Sequence, residues 1–404
     1  MEKSSPESER PKCAGLCSRC PRAGECPTRR ASGASPVLLA GSAPSGSARG
    51  RDGAGFAVDV GSTTLALALY DLRTGSLLSA KGCMNPQRSV SADVIGRIAA
   101  ASTPDSLAHL GRIVEDAVGA LLREACSEAG VAASAVRDGV ATGNTVMLHL
   151  LTGHDPAPLG RVPFRAEWLA GCDSSLLGIP VWLPPCIGAF VGADHVCSLV
   201  SARMSPDGPT ALLCDLGTNA EVALRAGGAM FATSTAAGPA FEGTGVRGSD
   251  LLDAIAGFCA DGTISETGAS DETRLVLADG RRLANADVRA VQVAKAAVAA
   301  GISVMLDAAG VSAQDLAEMF LAGGFGCGLN PDSAAAIGML PDVPSARKTP
   351  LGNAALAGAA ELLLFPEMRD YALDLARSVR LVELGGNADF SERFIDAMTF
   401  APWR

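Results

Sequence analysis

Two short segments of the chain repeat the same order of chemically active residues. In the first, Asp59 ends an apolar strand and Gly61 follows it, and in the second Asp215 and Gly217 take the same places. A carboxylate at a strand end can hold Mg²⁺, usually through water, because this hard ion prefers oxygen ligands. The glycine lets backbone N–H groups and hydroxyls approach a phosphate closely. With a glycine-rich loop at residues 322–326, the pair predicts two half-domains that clamp a nucleotide triphosphate.

Four cysteines near the N-terminus form a second candidate site. Cys13, Cys17, Cys20 and Cys26 have the spacing C-x₃-C-x₂-C-x₅-C. Four thiolates in so short a segment can surround one iron–sulfur cluster or one Zn²⁺. An iron–sulfur cluster, of the 4Fe–4S type, is the favoured hypothesis. Structural Zn²⁺ and a metal-free segment are the alternatives.

Composition limits the class of protein. The chain has 404 residues, is 48% hydrophobic and carries a net charge of −10, which argues against nucleic-acid binding. The N-terminus lacks the apolar region of a signal peptide. The apolar stretch Ala296–Leu306 is too short to span a bilayer and predicts a buried helix. We therefore expect a cytoplasmic protein without a membrane partner, in which cysteines are thiols or metal ligands.

The elements that position these residues suggest an internal duplication. Each aspartate lies between an apolar strand and an alternating strand, and a tight turn and a third strand follow. The turns are residues 71–75 and Gly227-Gly228. This pattern predicts an α/β fold of two similar lobes with a nucleotide cleft between them.

The predicted boundaries divide the chain into four parts. Residues 1–30 are the cysteine-rich segment, and residues 31–54 have the composition of a disordered, flexible linker. The first lobe covers residues 55–203 and the second covers residues 204–404. The proline-rich stretch Pro156–Pro185 is expected to be irregular.

Motifs in a fixed order resemble the superfamily of acetate and sugar kinases, heat-shock chaperones and actin (ASKHA). The segment that begins at Asp59 is similar to its first phosphate loop, and the one at Asp215 is similar to its second. The segment that begins at Leu321 is similar to its adenosine loop. Residues 188–199 and 352–360 are similar to its two connecting helices. The resemblance implies a duplicated actin-like or ribonuclease H-like ATPase fold.

A narrower resemblance covers roughly residues 55–400 and is to the reductive activators of corrinoid proteins. It is carried by Asn85-Pro86-Gln87, Ala92–Ile95, Thr142–Thr145, Ala237–Gly243, Gly352–Gly358 and the ending from Val382 to Met398. In that family, ATP binding and hydrolysis drive reduction of a corrinoid from Co(II) to Co(I), which reactivates a methyltransferase system. Those activators usually carry a full ferredoxin-like domain, and the cysteine-rich segment here is much shorter.

The resemblance also implies roles for individual residues. Asp59 and Asp215 would hold Mg²⁺, and Asp215, Asp194 and Glu221 are the candidate catalytic carboxylates. Of these, Asp194 and Glu221 are candidates to orient the attacking water. The implied nucleotide-binding residues are Gly61, Ser62, Thr63, Thr64, Gly217, Thr218, Asn219, Gly323, Gly324, Phe325 and Gly326. Catalysis at such a site is mainly positioning and electrostatics.

The expected partners follow from the same resemblance. They are a corrinoid protein or another low-potential metalloprotein, and an upstream electron donor such as ferredoxin or flavodoxin; a homodimer is also compatible. Three alternative functions stay open. The chain could be an ATP-dependent electron donor to a dehydratase or double-cubane protein, a small-molecule kinase of the same superfamily, or a nucleotide-gated binding module.

Overall fold

The computed structural model describes residues 51–403, apart from residues 218, 237–247, 272, 274, 278–279 and 327. In this part of the chain, twelve strands form two sheets. The first sheet contains β1 (Ala54–Val60), β2 (Thr64–Asp71), β3 (Leu77–Met84), β4 (Val136–Gly143), β5 (Ala170–Leu176) and β6 (Ile179–Pro185). The second contains β7 (Ala211–Leu216), β8 (Ala220–Ala226), β9 (Ala229–Thr235), β10 (Glu318–Ala322), β11 (Arg347–Gly352) and β12 (Val379–Leu381).

The helices cover the sheets and join them. In the first half they are α1 (Val94–Ala100), α2 (Pro104–Ala129), α3 (Thr145–Thr152) and α4 (Ala193–Ser201). In the second half they are α5 (Gly248–Ala260), α6 (Asn285–Ala309), α7 (Gly323–Gly326), α8 (Pro331–Ala336), α9 (Ala354–Leu364), α10 (Met368–Ser378) and α11 (Ala388–Asp396).

The two sheets share one topology. Their strand orders are β3-β2-β1-β4-β6-β5 and β11-β10-β7-β8-β9-β12. The antiparallel meander β7-β8-β9 corresponds to β1-β2-β3, and the parallel neighbours β10 and β11 correspond to β4 and β6. The sheets differ in one strand each. In the first sheet, β5 lies beside β6 and pairs antiparallel with it. In the second sheet, β12 lies at the opposite edge, beside β9, and pairs parallel with it. The duplicated α/β fold predicted from the sequence is therefore confirmed.

Alternation along the strands separates an outer core in each half from a central core. Because successive side chains of a strand point to opposite faces, Phe56 and Val58 of β1 enter the outer core with α2 and α3, whereas Ala57 enters the central core. In β7, Leu212 enters the second outer core with α5 and α6, and Leu213 enters the central core. Helices therefore cover both faces of each sheet.

Helices α4 and α9 lie in the central core and join the two halves. They approach so closely at Gly358 that a Cβ there would lie 1.9 Å from the carbonyl oxygen of Cys197. Although α9 comes from the second half, it packs on β1 and β4 of the first sheet. The halves are thus connected through a helix crossing that only a glycine at residue 358 allows.

Several local predictions are confirmed. The predicted turns join β2 to β3 and β8 to β9, and Gly227 and Gly228 both have left-handed φ angles, of 57° and 74°. The apolar stretch Ala296–Leu306 lies in α6. Within the described residues, α6 is the one helix long and apolar enough to cross a membrane, and 78% of its apolar window is buried in the protein, as in a core helix.

The prediction of irregular structure for Pro156–Pro185 is wrong for its second part. Strands β5 and β6 form a hairpin, and its turn places Leu177 and Gly178 at left-handed φ angles of 58° and 72°. Val181 faces the outer core and Trp182 the central core. Pro180 and Pro185 of β6 pair with β5 and lie outside the short β4–β6 ladder, which contains only Val181 and Trp182.

The helix crossing gives a stability prediction. Gly358→Ala should lower the free energy of unfolding by about 1–3 kcal/mol, because the added methyl group overlaps the Cys197 carbonyl. Gly257→Ala, in α5, is the matched control. A Cβ there meets nothing within 4 Å, so that substitution should raise stability by up to about 1 kcal/mol. Urea unfolding measures both, and equal effects of the two substitutions would contradict the proposed crossing.

Candidate functional site

In each phosphate loop the glycine N–H donates a hydrogen bond to a backbone carbonyl oxygen two or three residues further along the chain. In the first, the Gly61 N–H donates to the Thr64 carbonyl oxygen at 3.0 Å, and in the second the Gly217 N–H donates to the Asn219 carbonyl oxygen at 2.9 Å. A Cβ at Gly61 would lie 2.7 Å from the Thr64 carbonyl oxygen. Glycine is therefore required at Gly61 for the closure of this turn.

A second pair of glycines brings the neighbouring parallel strands against these loops. A Cβ at Gly143, which ends β4, would lie 2.6 Å from the Val60 carbonyl oxygen. A Cβ at Gly323, which follows β10, would lie 2.4 Å from the Leu216 carbonyl oxygen and 2.7 Å from Oδ1 of Asp215. The predicted adenosine loop thus lies directly beside the second phosphate loop, and the loop at Gly143 is its counterpart in the first half.

Three side chains hold the first phosphate loop from behind. The guanidinium of Arg97, in α1, donates to the Ser62 carbonyl oxygen at 2.6 Å. The amide of Asn85 donates to the Gly61 carbonyl oxygen at 2.8 Å, and that of Asn144 donates to the Ser62 hydroxyl at 2.8 Å. Asn144 also caps α3 by accepting from the Met147 N–H. The loop backbone is therefore fixed before any ligand binds.

Arg97 was not predicted from the sequence. Its side chain is completely buried, and burial lowers its pKa to about 10, so it stays charged at neutral pH. It donates to neutral acceptors, among them the Ser91 carbonyl oxygen and the Gln87 amide oxygen. A buried cation behind the loop makes the potential there more favourable for phosphate. The sequence signal for a buried role of Arg97 was its position as the single arginine of an otherwise apolar helix.

The two aspartates of the repeat are held by donors from opposite halves of the chain. Oδ2 of Asp215 accepts a hydrogen bond from the Ser198 hydroxyl of α4 at 2.7 Å. Oδ2 of Asp59 accepts one from the amide of Asn353, at the start of α9, at 3.1 Å. Neither donor was predicted from the sequence, because neither lies near its acceptor along the chain.

Four half-buried carboxylates, all predicted from the sequence, interact electrostatically in the cleft. Glu221 lies opposite Asp215 in the β7–β8 ladder and accepts from the Ser234 hydroxyl at 3.2 Å. Asp194, in the first turn of α4, accepts from the N–H of His195. Desolvation first, and then the charges of Asp59 and Asp215, raise the pKa of Asp194 to about 8.

The pKa values of the other three carboxylates are raised as well. Desolvation raises the pKa of Asp59 to about 7, and the charge of Asp215 adds to the rise. Desolvation, followed by the charges of Asp194 and Asp215, raises the pKa of Glu221 well above its usual range. Desolvation also raises the pKa of Asp215, although the Ser198 hydroxyl opposes this. Such a cluster favours protons or a cation.

The donor set fits Mg²⁺ held through its water shell. All four groups offer the hard oxygen ligands that Mg²⁺ prefers, and the pKa of each is raised, mainly by desolvation, so a cation beside them would be favoured. In the part of the chain that the structure describes, no three His, Cys, Asp or Glu side chains are close enough to surround an ion directly. Coordination through water molecules, as predicted from the sequence, suits this spacing.

Several predicted site residues lie next to this cluster along the chain, and others lie outside the described residues. Ser62, Thr63 and Thr64 follow Asp59, and Gly217 and Asn219 follow Asp215 in its loop. Gly323, Gly324, Phe325 and Gly326 form the helical turn α7. Thr218 and the four N-terminal cysteines, Cys13, Cys17, Cys20 and Cys26, lie outside the described residues. Most of the predicted linker, residues 31–54, lies outside them as well.

Two family models match consecutive parts of the chain. The model of the RACo middle region matches residues 54–207. The model described as the C-terminal domain of RACo, the ASKHA domain, matches residues 209–248 and 244–403. The chain is an ASKHA-superfamily protein with two consecutive RACo domains. Its resemblance to reductive activators of corrinoid proteins, predicted from separate motifs, is confirmed.

Relatives of this ASKHA protein match over different shares of their length. The corrinoid activation enzyme RamQ of Eubacterium limosum is 29% identical over 412 residues, which cover 84% of this chain and 69% of RamQ. A Co(II) methylated amine-specific corrinoid protein reductase of Methanosarcina barkeri is 22% identical over 272 residues. That match covers 54% of this chain and 49% of the reductase, so the chain spans about half of that relative.

A solved structure has the same arrangement. The reductive activator for corrinoid, iron–sulfur protein superposes with a TM-score of 0.80 at 27% identity. The match covers 89% of this chain and 67% of the solved chain. The arrangement of the two sheets around the cleft is therefore shared with a reductive activator.

The carboxylate cluster predicts a pH-dependent stability. Because the pKa of Asp194 is about 8 when folded and near 4 when unfolded, folding keeps a proton that the unfolded chain loses. Stability is therefore lost as pH rises between these two values. The Asp194→Asn variant cannot ionise at this position, so it does not lose stability in this way as pH rises. The Tm of the variant should therefore exceed that of the wild type by an amount that grows from about pH 5 to about pH 8. Each kcal/mol relieved corresponds to roughly 2–4 °C.

Thermal unfolding without Mg²⁺ or nucleotide measures this difference. Asp374→Asn is the control, because 78% of the Asp374 side chain is exposed, and its Tm difference should be small at every pH. A Tm difference for Asp194→Asn that does not change with pH would contradict the electrostatic description of the cleft.

Proposed function

We propose that this protein is an ATP-dependent reductive activator, which couples ATP binding and hydrolysis to the one-electron reduction of a corrinoid protein from Co(II) to Co(I). The observation that carries the proposal is the similarity to RamQ over 84% of this chain. The carboxylate cleft between two duplicated phosphate loops supports the ATP-dependent part. The superposition on a reductive activator, with a TM-score of 0.80, supports the reductive part.

The residues of the cleft have complementary tasks in this proposal. Asp59 and Asp215 hold Mg²⁺ through water, and the N–H groups and hydroxyls of the two phosphate loops bind the β- and γ-phosphates. When bound, Mg²⁺ neutralises charge on the phosphates and on the carboxylates. Asp194 and Glu221 are proposed to orient the attacking water, and their electrostatic interaction with Asp215 supports this role. Gly323, with the rest of α7, receives the adenosine.

ATP is needed because of the energy of the electron transfer. Each uphill step of about 59 mV in a one-electron transfer lowers the equilibrium constant tenfold. Reduction of a low-potential cobalt ion therefore needs coupling to an exergonic process. Closure of the two halves around ATP supplies this coupling by favouring one state of the bound corrinoid protein.

The electron enters through the N-terminal segment in this proposal. Cys13, Cys17, Cys20 and Cys26 are proposed to bind a 4Fe–4S cluster, which when bound transfers single electrons. A low-potential donor of the ferredoxin or flavodoxin class supplies each electron. The chain acts in the cytoplasm, and a homodimer is compatible with this arrangement.

An anaerobic assay tests the proposal. The protein, ATP, a low-potential reductant and the cognate corrinoid protein are mixed, and the absorption of Co(I) is followed. An ATP-dependent Co(I) signal is expected, and replacing ATP with ADP should abolish it. A phosphorylated small molecule as product would indicate a kinase. Electron delivery to a dehydratase or double-cubane protein, without a Co(I) signal, would replace the corrinoid partner.

Removal of one aspartate tests the nucleotide site separately. Asp215→Ala should lower ATP turnover on the order of 10²-fold, because the cation loses a group that holds it and the water-orienting carboxylates lose a neighbour. Asp374→Ala, at an exposed carboxylate, is the control and should retain wild-type turnover. Unchanged turnover in Asp215→Ala would overturn the assignment of this site.

A further inference from the structure

The two phosphate-loop aspartates each accept a hydrogen bond that crosses between the halves of the protein, one in each direction. Ser198, on the connecting helix α4 of the first half, donates to Asp215 of the second half at 2.7 Å. Asn353, which precedes the connecting helix α9 of the second half, donates to Asp59 of the first half at 3.1 Å. Each phosphate-loop aspartate is therefore held by the connecting helix of the opposite half.

Both donors are fixed by their own surroundings. Ser198 is completely buried within α4. The Oδ1 atom of Asn353 accepts the Leu356 N–H at 2.8 Å as the N-cap of α9. Because one end of the amide is occupied by the cap, its nitrogen faces Asp59. The direction of each donor thus follows from the position of its helix.

The helices that carry the donors pack extensively against each other, and one very close approach lies beside a donor. At Gly358, α9 lies against the backbone of Cys197 in α4, one residue before Ser198. A change in this crossing moves Ser198 relative to Asp215. Because α9 packs on the first sheet while Asn353 follows β11 of the second, the same change alters the distance from Asn353 to Asp59.

We infer that Ser198 and Asn353 are positioning residues that orient Asp215 and Asp59 across the cleft, so that Mg²⁺ and nucleotide bind fully only when the two halves are closed. This inference rests on the proposed nucleotide function. A carboxylate oxygen can accept more than one hydrogen bond, so each aspartate keeps capacity for the water shell of the cation. By reciprocity, binding of Mg²⁺ and nucleotide favours the closed arrangement.

Two substitutions remove the crossing donors with little other change. Ser198→Ala deletes the hydroxyl and keeps a good helix former. Asn353→Ser keeps an effective N-cap but lacks the amide N–H. Asn387→Ser is the matched control, because Asn387 caps α11, which packs on α6 in the outer part of the second half.

Calorimetry of the full chain with a non-hydrolysable ATP analogue measures how much Mg²⁺ is needed for binding. Each crossing variant should need roughly 10-fold to 100-fold more Mg²⁺ than the wild type, the range expected for a lost hydrogen bond to a charged group. The control should stay within about twofold. Unfolding temperatures without Mg²⁺ should stay close to the wild-type value in all three variants, which separates positioning from a loss of folding.

Small-angle X-ray scattering gives a readout that does not depend on activity. The wild type should contract when Mg²⁺ and the analogue are added, and the crossing variants should contract less even at saturation. If the wild type binds and contracts but the crossing variants behave like Asn387→Ser, the inference is overturned while the proposed function stands. If the wild type does not bind the analogue, the proposed nucleotide function fails first and the inference fails with it.

Discussion

Desolvation of four half-buried, neighbouring carboxylates is the constraint on which the rest of the structure depends. Desolvation raises the pKa values of Asp59, Asp194, Asp215 and Glu221, and charges within the cluster add to the rise for Asp59, Asp194 and Glu221. Such a cluster is costly unless donors and a cation satisfy it. The fold meets part of this cost with hydroxyl and amide donors from both halves. The remaining negative charge is what makes the cleft suited to Mg²⁺ with a nucleotide.

Duplication builds this cleft, and one difference between the halves makes it asymmetric. The two aspartates and the glycines that lie against their loops occupy equivalent places in both sheets. The residue opposite Asp59 in the β1–β2 ladder is Ala66, whereas the residue opposite Asp215 in the β7–β8 ladder is Glu221. Only the second ladder therefore contributes an additional carboxylate, so the candidate water-orienting groups lie near Asp215.

The sequence was sufficient for features that depend on residues close along the chain. The phosphate loops, the meanders and their glycine turns were predicted because strand alternation and turn residues are local signals. Contacts between distant segments had no such signal. Ser198 and Asn353 meet carboxylates from the opposite half, and Arg97 is identified as a support of the first loop only through its contact with Ser62. The β5–β6 hairpin was missed because its prolines concealed the strand pattern.

In the proposed site, the cation and nucleotide replace protons of the carboxylate cluster, because such a cluster favours either protons or a cation. Calorimetry of Mg²⁺–analogue binding near neutral pH, in buffers with different ionisation enthalpies, counts the protons exchanged. Release on the order of one proton is expected, because the pKa values of Asp59 and Asp194 are about 7 and about 8 and both must fall beside a cation. A binding heat independent of the buffer, or uptake of protons, would contradict the claim.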